Sequence, residues 1–186
     1  TKKIISDRKK IFQNTDRIIS ISNTTKEDLI DIYKISEKKI HVTYLGSDHL
    51  DLIKINEKKI NNVIQNKIFK PFLLYVGNRY RYKNYKTLIN AYANSKMLKD
   101  NYQIVFFGGE KVSNSEKKLY ENLNITGQVV HLGGGDDLLK YLYTKAIVLI
   151  STSVYEGFGI NVLEAIRFGC KVLANDIKVF REIFKD

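Results

Sequence analysis

The 186-residue sequence is poor in several residue types, and each scarcity excludes a class of site or structure. Its one cysteine, Cys170, can form no internal disulfide, which fits a reducing compartment, and we expect a small buried residue there. Its three histidines are too few and too scattered to suggest a metal site. It contains no run of about 18 or more apolar residues and no charged-then-apolar leader, so we expect neither a transmembrane helix nor a signal peptide.

Acidic residues are scarce relative to basic ones, with 20 Asp and Glu against 31 Lys and Arg and a net charge of +11. Such an excess could serve nucleic acid, an anionic membrane surface or an anionic substrate. The lysines are spread along the chain and mixed with acids, as in Glu57-Lys58-Lys59, which indicates solvated faces. Among possible partners for the excess positive charge we favour an anionic membrane, and we expect no specific binding of nucleic acid.

Short apolar runs alternate with helical patterns along most of the chain. Continuous runs of this kind are typical of strands buried on both faces, and they occupy residues 72–76, 103–107, 129–132, 146–150 and 171–174. Alternating strands and helices predict an α/β fold with a Rossmann-like, doubly wound parallel sheet.

The turn after the fourth of these runs is the most informative stretch of the sequence. It reads Tyr-Glu-Gly-Phe-Gly, and apolar residues at helical spacing follow from Ile160 to Gly169. Unpaired N–H groups and the positive end of the dipole favour phosphate at such a helix N-terminus. The N–H groups in question belong to Gly157, Phe158, Gly159 and Ile160. Two carboxylates, Glu156 and Glu164, bracket this stretch.

The spacing from Glu156 to Glu164, with the Gly-Cys turn at Gly169, resembles the Glu-x7-Glu signature of retaining GT-B glycosyltransferases of family 4 (glycosyl transferases group 1). The resemblance is mainly to the C-terminal donor-binding domain of that family. It implies that Glu156 holds hydroxyls of the transferred sugar and that Glu164 binds the ribose. The alternative is an ordinary β-α unit in which Glu156 caps the helix and Glu164 lies on a solvated face.

A second loop, residues 77–84, follows the strand at 72–76, at the edge where open α/β sheets bind ligands. It resembles the family's loop in which an Arg and a Lys-Asn clamp the donor phosphates. By position these roles go to Arg79 and Lys83, and Arg81 shares or replaces the role of Arg79. Further donor contacts are assigned to Gly77 in this loop and, for the nucleobase, to Leu132, Gly133 and Gly134. We expect His131 to be a strand residue.

The resemblance implies transfer of a sugar with retention, from a nucleotide-diphosphate sugar as co-substrate to a carbohydrate or lipid-linked glycan acceptor in polysaccharide biosynthesis. Glu156, Arg79 and Lys83 are the catalytic candidates, and these cations with the loop amides would stabilise the departing diphosphate without metal or other cofactor. We expect a cytoplasmic location, with peripheral contact at the inner face of the cytoplasmic membrane. Two alternatives stay open: another GT-B enzyme such as a sugar-nucleotide epimerase, and a non-catalytic basic module that binds nucleotide, nucleic acid or membrane.

We predict that residues 1–48 end an N-terminal Rossmann-like domain, that 49–71 form a linker or insert without a firm period, and that 72–186 form the nucleotide-sugar-binding domain. In the first segment, Thr24 and Glu27 predict a capping box that opens a helix. The chain begins without Met, and family members continue beyond its last strand. We therefore expect a chain truncated at both ends that binds donor but transfers little alone.

Overall fold

The computed structural model describes residues 2–79 and 81–184. They fall into two compact units. Of the described residues, the smaller unit takes 2–46, 156–159 and 176–184, and the larger unit takes 47–79, 81–155 and 160–175. The predicted domain boundaries at residues 48 and 71 stay a prediction.

Helices and strands alternate along the chain. The helices are α1 (Lys2–Asn14), α2 (Asn23–Tyr33), α3 (Glu57–Ile64), α4 (Tyr85–Ala93), α5 (Lys96–Asn101), α6 (Asn114–Asn122), α7 (Asp136–Lys145), α8 (Ile160–Arg167) and α9 (Lys178–Ile183). The strands are β1 (Ile18–Ser20), β2 (Ile40–Val42), β3 (Phe72–Val76), β4 (Gln103–Phe107), β5 (Val129–Leu132), β6 (Val148–Ser151) and β7 (Val172–Ala174).

A five-stranded parallel sheet, in the order β5-β4-β3-β6-β7, forms the centre of the larger unit. This confirms the predicted α/β fold with a parallel sheet. The chain runs outward from β3 to β5 and then returns to place β6 on the other side of β3. The strand order thus reverses between β3 and β6, and the carboxyl ends beside such a reversal are where open α/β sheets bind ligands.

The core of the larger unit lies on these strands because their apolar runs are continuous. Leu74, Ile104, Val105, Phe106 and Leu149 have no exposed surface. Burial on both faces explains why the runs of β3, β4 and β6 lack polar alternation, whereas Leu173 on the edge strand β7 is exposed. Cys170 is buried as predicted, and its burial raises the pKa of the thiol.

The stretch predicted as a linker or insert without a firm period contains helix α3. Asn56 caps it by accepting a hydrogen bond from the Lys59 N–H, and Ile60 is its one buried residue. Its apolar residues Ile60, Val63 and Ile64 do stand at helical spacing, but this signal covers only about two turns, and the sequence prediction missed it. The following turn is fixed by buried Gln103, whose side-chain oxygen accepts from the N–H groups of Phe69 and Lys70.

In the smaller unit, β1 and β2 pair in parallel, and α2 connects them. The predicted capping box at Thr24 and Glu27 is wrong, because the N-cap of α2 lies two residues earlier. Its N-cap is Ser22, whose hydroxyl accepts from the Thr25 N–H at 3.0 Å. The prediction overlooked Ser22, whose side-chain oxygen caps the helix.

Candidate functional site

The loop after β3 has its backbone fixed to the segment after β6. It contains a 3-10 turn at Arg81–Lys83. The Thr152 hydroxyl donates to the Lys83 carbonyl at 2.9 Å, and the Val154 N–H donates to the Tyr82 carbonyl at 2.8 Å. The Lys83 ammonium lies 5.6 Å from the centre of the Tyr82 ring. The backbone at the predicted phosphate-binding Lys83 is therefore held by two hydrogen bonds from the segment after β6.

Two glycine loops approach each other closely at the carboxyl ends of β3 and β4. Gly77 and Gly109 both have positive φ, at 115° and 75°. A Cβ added to Gly109 would lie 3.0 Å from the Gly77 carbonyl oxygen and 3.1 Å from Arg79 Nη1. A side chain at Gly109 would therefore require the Gly77 carbonyl or the Arg79 side chain to shift, because the loop carrying Arg79 packs directly on this glycine.

The Arg79 side chain is almost fully buried in a network of acceptors. Its Nε–H donates to Glu116, and its terminal nitrogens donate to the carbonyls of Gly108 and Glu110. The side chains of Arg79 and Glu116 are only 6% and 10% exposed. Burial acts to raise the pKa of Glu116, but hydrogen bonds from Arg79 and Ser113 outweigh it and hold that pKa below its ordinary value. The guanidinium assigned to the phosphates is therefore already paired with a carboxylate.

A pocket of about 440 Å³ opens beside this network, between the loop after β3 and the start of α6. Its lining includes Arg79, Arg81, Lys86 and Lys111, together with the two acids Glu110 and Glu116. Cations outnumber acids there, so the field of the lining favours an anionic ligand.

Glu164 is buried on α8, with 6% of its surface exposed. The Tyr143 hydroxyl donates to its Oε2 at 2.7 Å, and His49 Nε2 lies 3.1 Å from its Oε1. Burial raises the pKa of Glu164, and the hydrogen bond from Tyr143 and the charge of His49 act in the opposite direction. The alternative interpretation of Glu164 as a solvated helix residue is wrong, because α8 packs this face inward.

The segment assigned to the nucleobase lies at the end of β5. Leu132 is buried, and a Cβ built on Gly133 would meet nothing within 4 Å, whereas one on Gly134 would lie 3.0 Å from Leu138. His131 lies on β5, as expected of a strand residue, and its ring stacks on Phe106 with 4.9 Å between centroids. Burial lowers the pKa of His131 to about 4.

The structure assigns Glu156, Gly157, Phe158 and Gly159 to the smaller unit, and α8 starts at Ile160 in the larger one. The Gly157 carbonyl accepts from the hydroxyls of Ser22, at 2.7 Å, and Thr25, at 3.2 Å. Gly159 has a φ of 91°, and a Cβ there would lie 2.4 Å from a ring carbon of Phe180.

The larger unit thus contains the predicted residues Gly77, Arg79, Arg81, Lys83, Leu132, Gly133, Gly134, Ile160 and Glu164. Sequence reasoning missed the partners Glu116, Tyr143 and His49. Tyr143 sits in the apolar stripe of α7, and His49 precedes Glu164 by more than 100 positions, so no local pattern links them. Within residues 2–79 and 81–184, no cluster of three or more His, Cys, Asp or Glu could hold a metal ion. In the same part of the chain, no helix is long and apolar enough to span a membrane.

The sequence model described as glycosyl transferases group 1 matches residues 56–186. The O-antigen chain mannosyltransferase RfbU of Salmonella typhimurium is 29% identical over 168 residues, which cover 89% of this chain and 44% of that protein. The N-acetylgalactosamine-N,N'-diacetylbacillosaminyl-diphospho-undecaprenol 4-alpha-N-acetylgalactosaminyltransferase of Campylobacter jejuni is 30% identical, over 95% of this chain and 46% of that protein. The chain therefore spans slightly less than half the length of these curated relatives.

Solved structures share the fold. A glycosyltransferase from Rickettsia africae aligns with a TM-score of 0.75 and 23% identity, over 96% of this chain and 50% of that one. HepE from Anabaena, in complex with UDP and glucose, aligns with a TM-score of 0.73 and 18% identity, over 92% of this chain and 47% of that one. At these identities the likeness establishes the fold alone, which is that of the C-terminal Rossmann-like domain of GT-B proteins.

Proposed function

Because the chain belongs to the glycosyl transferases group 1 family, we propose that it supplies donor-binding residues for transfer of a sugar from a nucleotide-diphosphate sugar. We further propose that the transfer retains the anomeric configuration, in line with the Glu-x7-Glu spacing from Glu156 to Glu164. The observation that carries the proposal is the buried carboxylate of Glu164, held by Tyr143 and His49. A solvated helix residue would have neither the burial nor two fixed partners.

The acceptor that we propose is a carbohydrate or a lipid-linked glycan. Support comes from the relatives' names: one acts on the O-antigen chain, and another acts on a diphospho-undecaprenol-linked sugar. A glycan built on such a lipid fits a cytoplasmic protein in peripheral contact with the inner face of the membrane. The net charge of +11 would favour that contact with an anionic surface.

The chemistry that we propose needs no metal ion. Negative charge develops on the departing diphosphate, and preorganised cations and N–H groups stabilise such charge directly. The proposed groups are Lys83 and Arg81 on the loop after β3 and, from the sequence motif alone, the N–H groups of residues 157–160. On the basis of the same sequence motif, we propose that Glu156 contacts hydroxyls of the transferred sugar.

The first test is calorimetric titration of the 186-residue chain with UDP, GDP and ADP in the presence of EDTA. We expect one nucleotide to bind, and Lys83→Ala to weaken the diphosphate by about tenfold or more, since a hydrogen bond to a charged group contributes about 1.5–3 kcal/mol. The corresponding nucleoside should bind both chains equally. Lys117→Ala, an exposed lysine on α6, is the matched control.

Equal losses for diphosphate and nucleoside in Lys83→Ala would refute the phosphate role of Lys83. Binding that appears only after Mg²⁺ is added would refute metal independence. Steeply salt-dependent binding to DNA or anionic vesicles, with no nucleotide bound, would favour a non-catalytic basic module instead.

A further inference from the structure

Glu164 has one protein partner on each of its carboxylate oxygens before any ligand arrives. Its Oε2 accepts from Tyr143 and its Oε1 lies 3.1 Å from His49 Nε2. An ionised carboxylate has about four acceptor positions, so these two partners leave about half of them for other donors. The carboxylate is therefore oriented and retains acceptor capacity.

Tyr143 is a donor to Glu164 at any physiological pH. It has no exposed surface, and burial followed by the neighbouring charge of Glu164 raises the pKa of its hydroxyl above the ordinary value of 10.0. A buried tyrosine hydroxyl that stays protonated donates its proton to the nearest acceptor. The acceptor of this hydrogen bond is Glu164 Oε2, at 2.7 Å.

The segment that carries His49 is held in place by contacts to helices α7 and α8. The Lys140 ammonium donates to the carbonyls of Leu50, Asp51 and Ile53 at 2.9–3.0 Å. Arg167 pairs with the Asp51 carboxylate. Lys140 lies on α7 with Tyr143, and Arg167 lies on α8 with Glu164, so the two helices that hold the carboxylate also hold the segment carrying His49.

We propose that Tyr143 and His49 are positioning residues that orient the Glu164 carboxylate, so that its remaining acceptor positions receive the two neighbouring hydroxyls of a nucleotide ribose. The proposal rests on the proposed function, because it takes Glu164 as the ribose ligand. Neighbouring hydroxyls need two acceptor positions at a set angle, and a carboxylate free to rotate would lose entropy on binding them.

The test measures how each protein variant binds a ligand that has the ribose hydroxyls and a ligand that lacks them. The nucleoside diphosphate that binds the 186-residue chain is titrated beside its 2′,3′-dideoxy analogue. We expect Tyr143→Phe to weaken the ribonucleotide by up to about tenfold and to leave the dideoxy analogue unchanged, since a carboxylate released from Tyr143 must be ordered when the ribose hydroxyls bind. Tyr141→Phe, on the same helix, is the matched control and should change neither.

His49 gives an independent variant should Tyr143→Phe fail to fold, because its side chain is half exposed. We expect His49→Ala to reduce the preference for the ribonucleotide about threefold, and His49→Gln, whose amide N–H can replace Nε2–H, to restore it. Selective loss with rescue supports the proposal.

Equal losses for both ligands in folded variants would show a merely structural role and overturn the proposal. A wild-type chain that binds both nucleotides equally would overturn the ribose role of Glu164 while leaving phosphate binding intact. A wild-type chain that binds no nucleoside diphosphate would overturn the proposed function itself, and this inference with it.

Discussion

Helix α2 depends on a carboxylate from a distant part of the sequence, and this dependence gives a sharp prediction. Glu182 on α9 accepts hydrogen bonds from the N–H groups of Asn23 and Thr24 and from the hydroxyls of Thr24 and Tyr44. Burial acts to raise the pKa of Glu182, but these four donors outweigh it and lower the pKa to about 2. The perturbation is Glu182→Gln, which keeps the shape and removes the charge.

The pKa difference sets the size of the effect. From the ordinary value of 4.5 to about 2, the shift corresponds to at most about 3.4 kcal/mol, at 1.36 kcal/mol per pH unit. Glu182 is partly exposed, so solvent screening reduces this to about 1–2 kcal/mol. Because the folded pKa is lowered, the stabilisation is present above pH 4.5 and is lost as the pH falls toward 2.

The assay is urea unfolding of the wild-type and Glu182→Gln chains at pH 6 and pH 3, with hydrogen exchange at the amides of Asn23 and Thr24. We expect the variant to be less stable by about 1–2 kcal/mol at pH 6, and the difference to shrink by more than half at pH 3. Glu121→Gln, exposed on α6, is the control and should show no such change. A wild-type-to-variant difference that is the same at both pH values would refute the reasoning.

Three further predictions concern other residues of the two units. Glu116→Gln should lower the free energy of unfolding by about 3 kcal/mol, the lower end for breaking a buried ion pair, because Arg79 keeps its charge; calorimetric melting checks this. Gly159→Ala should cost about 1–3 kcal/mol from the strained backbone alone and more from its clash with Phe180, so a variant as stable as wild type in urea would contradict the loop geometry. Glu164→Gln should gain stability relative to wild type as the pH rises above 4.5, because the folded pKa of Glu164 is raised and its favourable contribution is lost there; unfolding at pH 4 and pH 7 measures the trend.

The sheet was predictable because continuous apolar runs mark strands buried on both faces. All five predicted runs of the larger unit became strands, each within about two residues of its predicted bounds. Helix α3 was missed because its apolar residues at helical spacing, Ile60, Val63 and Ile64, cover only about two turns among polar residues. The start of α2 was misplaced because Ser22, Thr24 and Thr25 are all capable N-caps by residue type, and only the folded chain selects Ser22.

The sequence predicted which residue types lie at the sheet edge of the candidate site. It did not predict which side chains contact one another there. The Gly-rich turn and the start of α8 after Gly159 follow from local sequence. The partners of Glu164 do not, because Tyr143 reads as one more apolar residue of α7 and His49 belongs to an irregular segment. Contacts between residues that lie so far apart in the sequence cannot be predicted from the local residue pattern.

The same limit applies to the cations of the loop after β3, because their burial and pairing could not be predicted from the sequence. The structure separates them: Arg79 is buried against Glu116 and two carbonyls, whereas Arg81 is exposed in the 3-10 turn. A phosphate that bound Arg79 would have to share the guanidinium with Glu116, and the like charges of the two anions would oppose that sharing. Loss of affinity in an Arg79 variant would therefore mix loop distortion with lost charge. Lys83, whose backbone is held independently by Thr152, is the residue whose substitution reports on phosphate binding most directly.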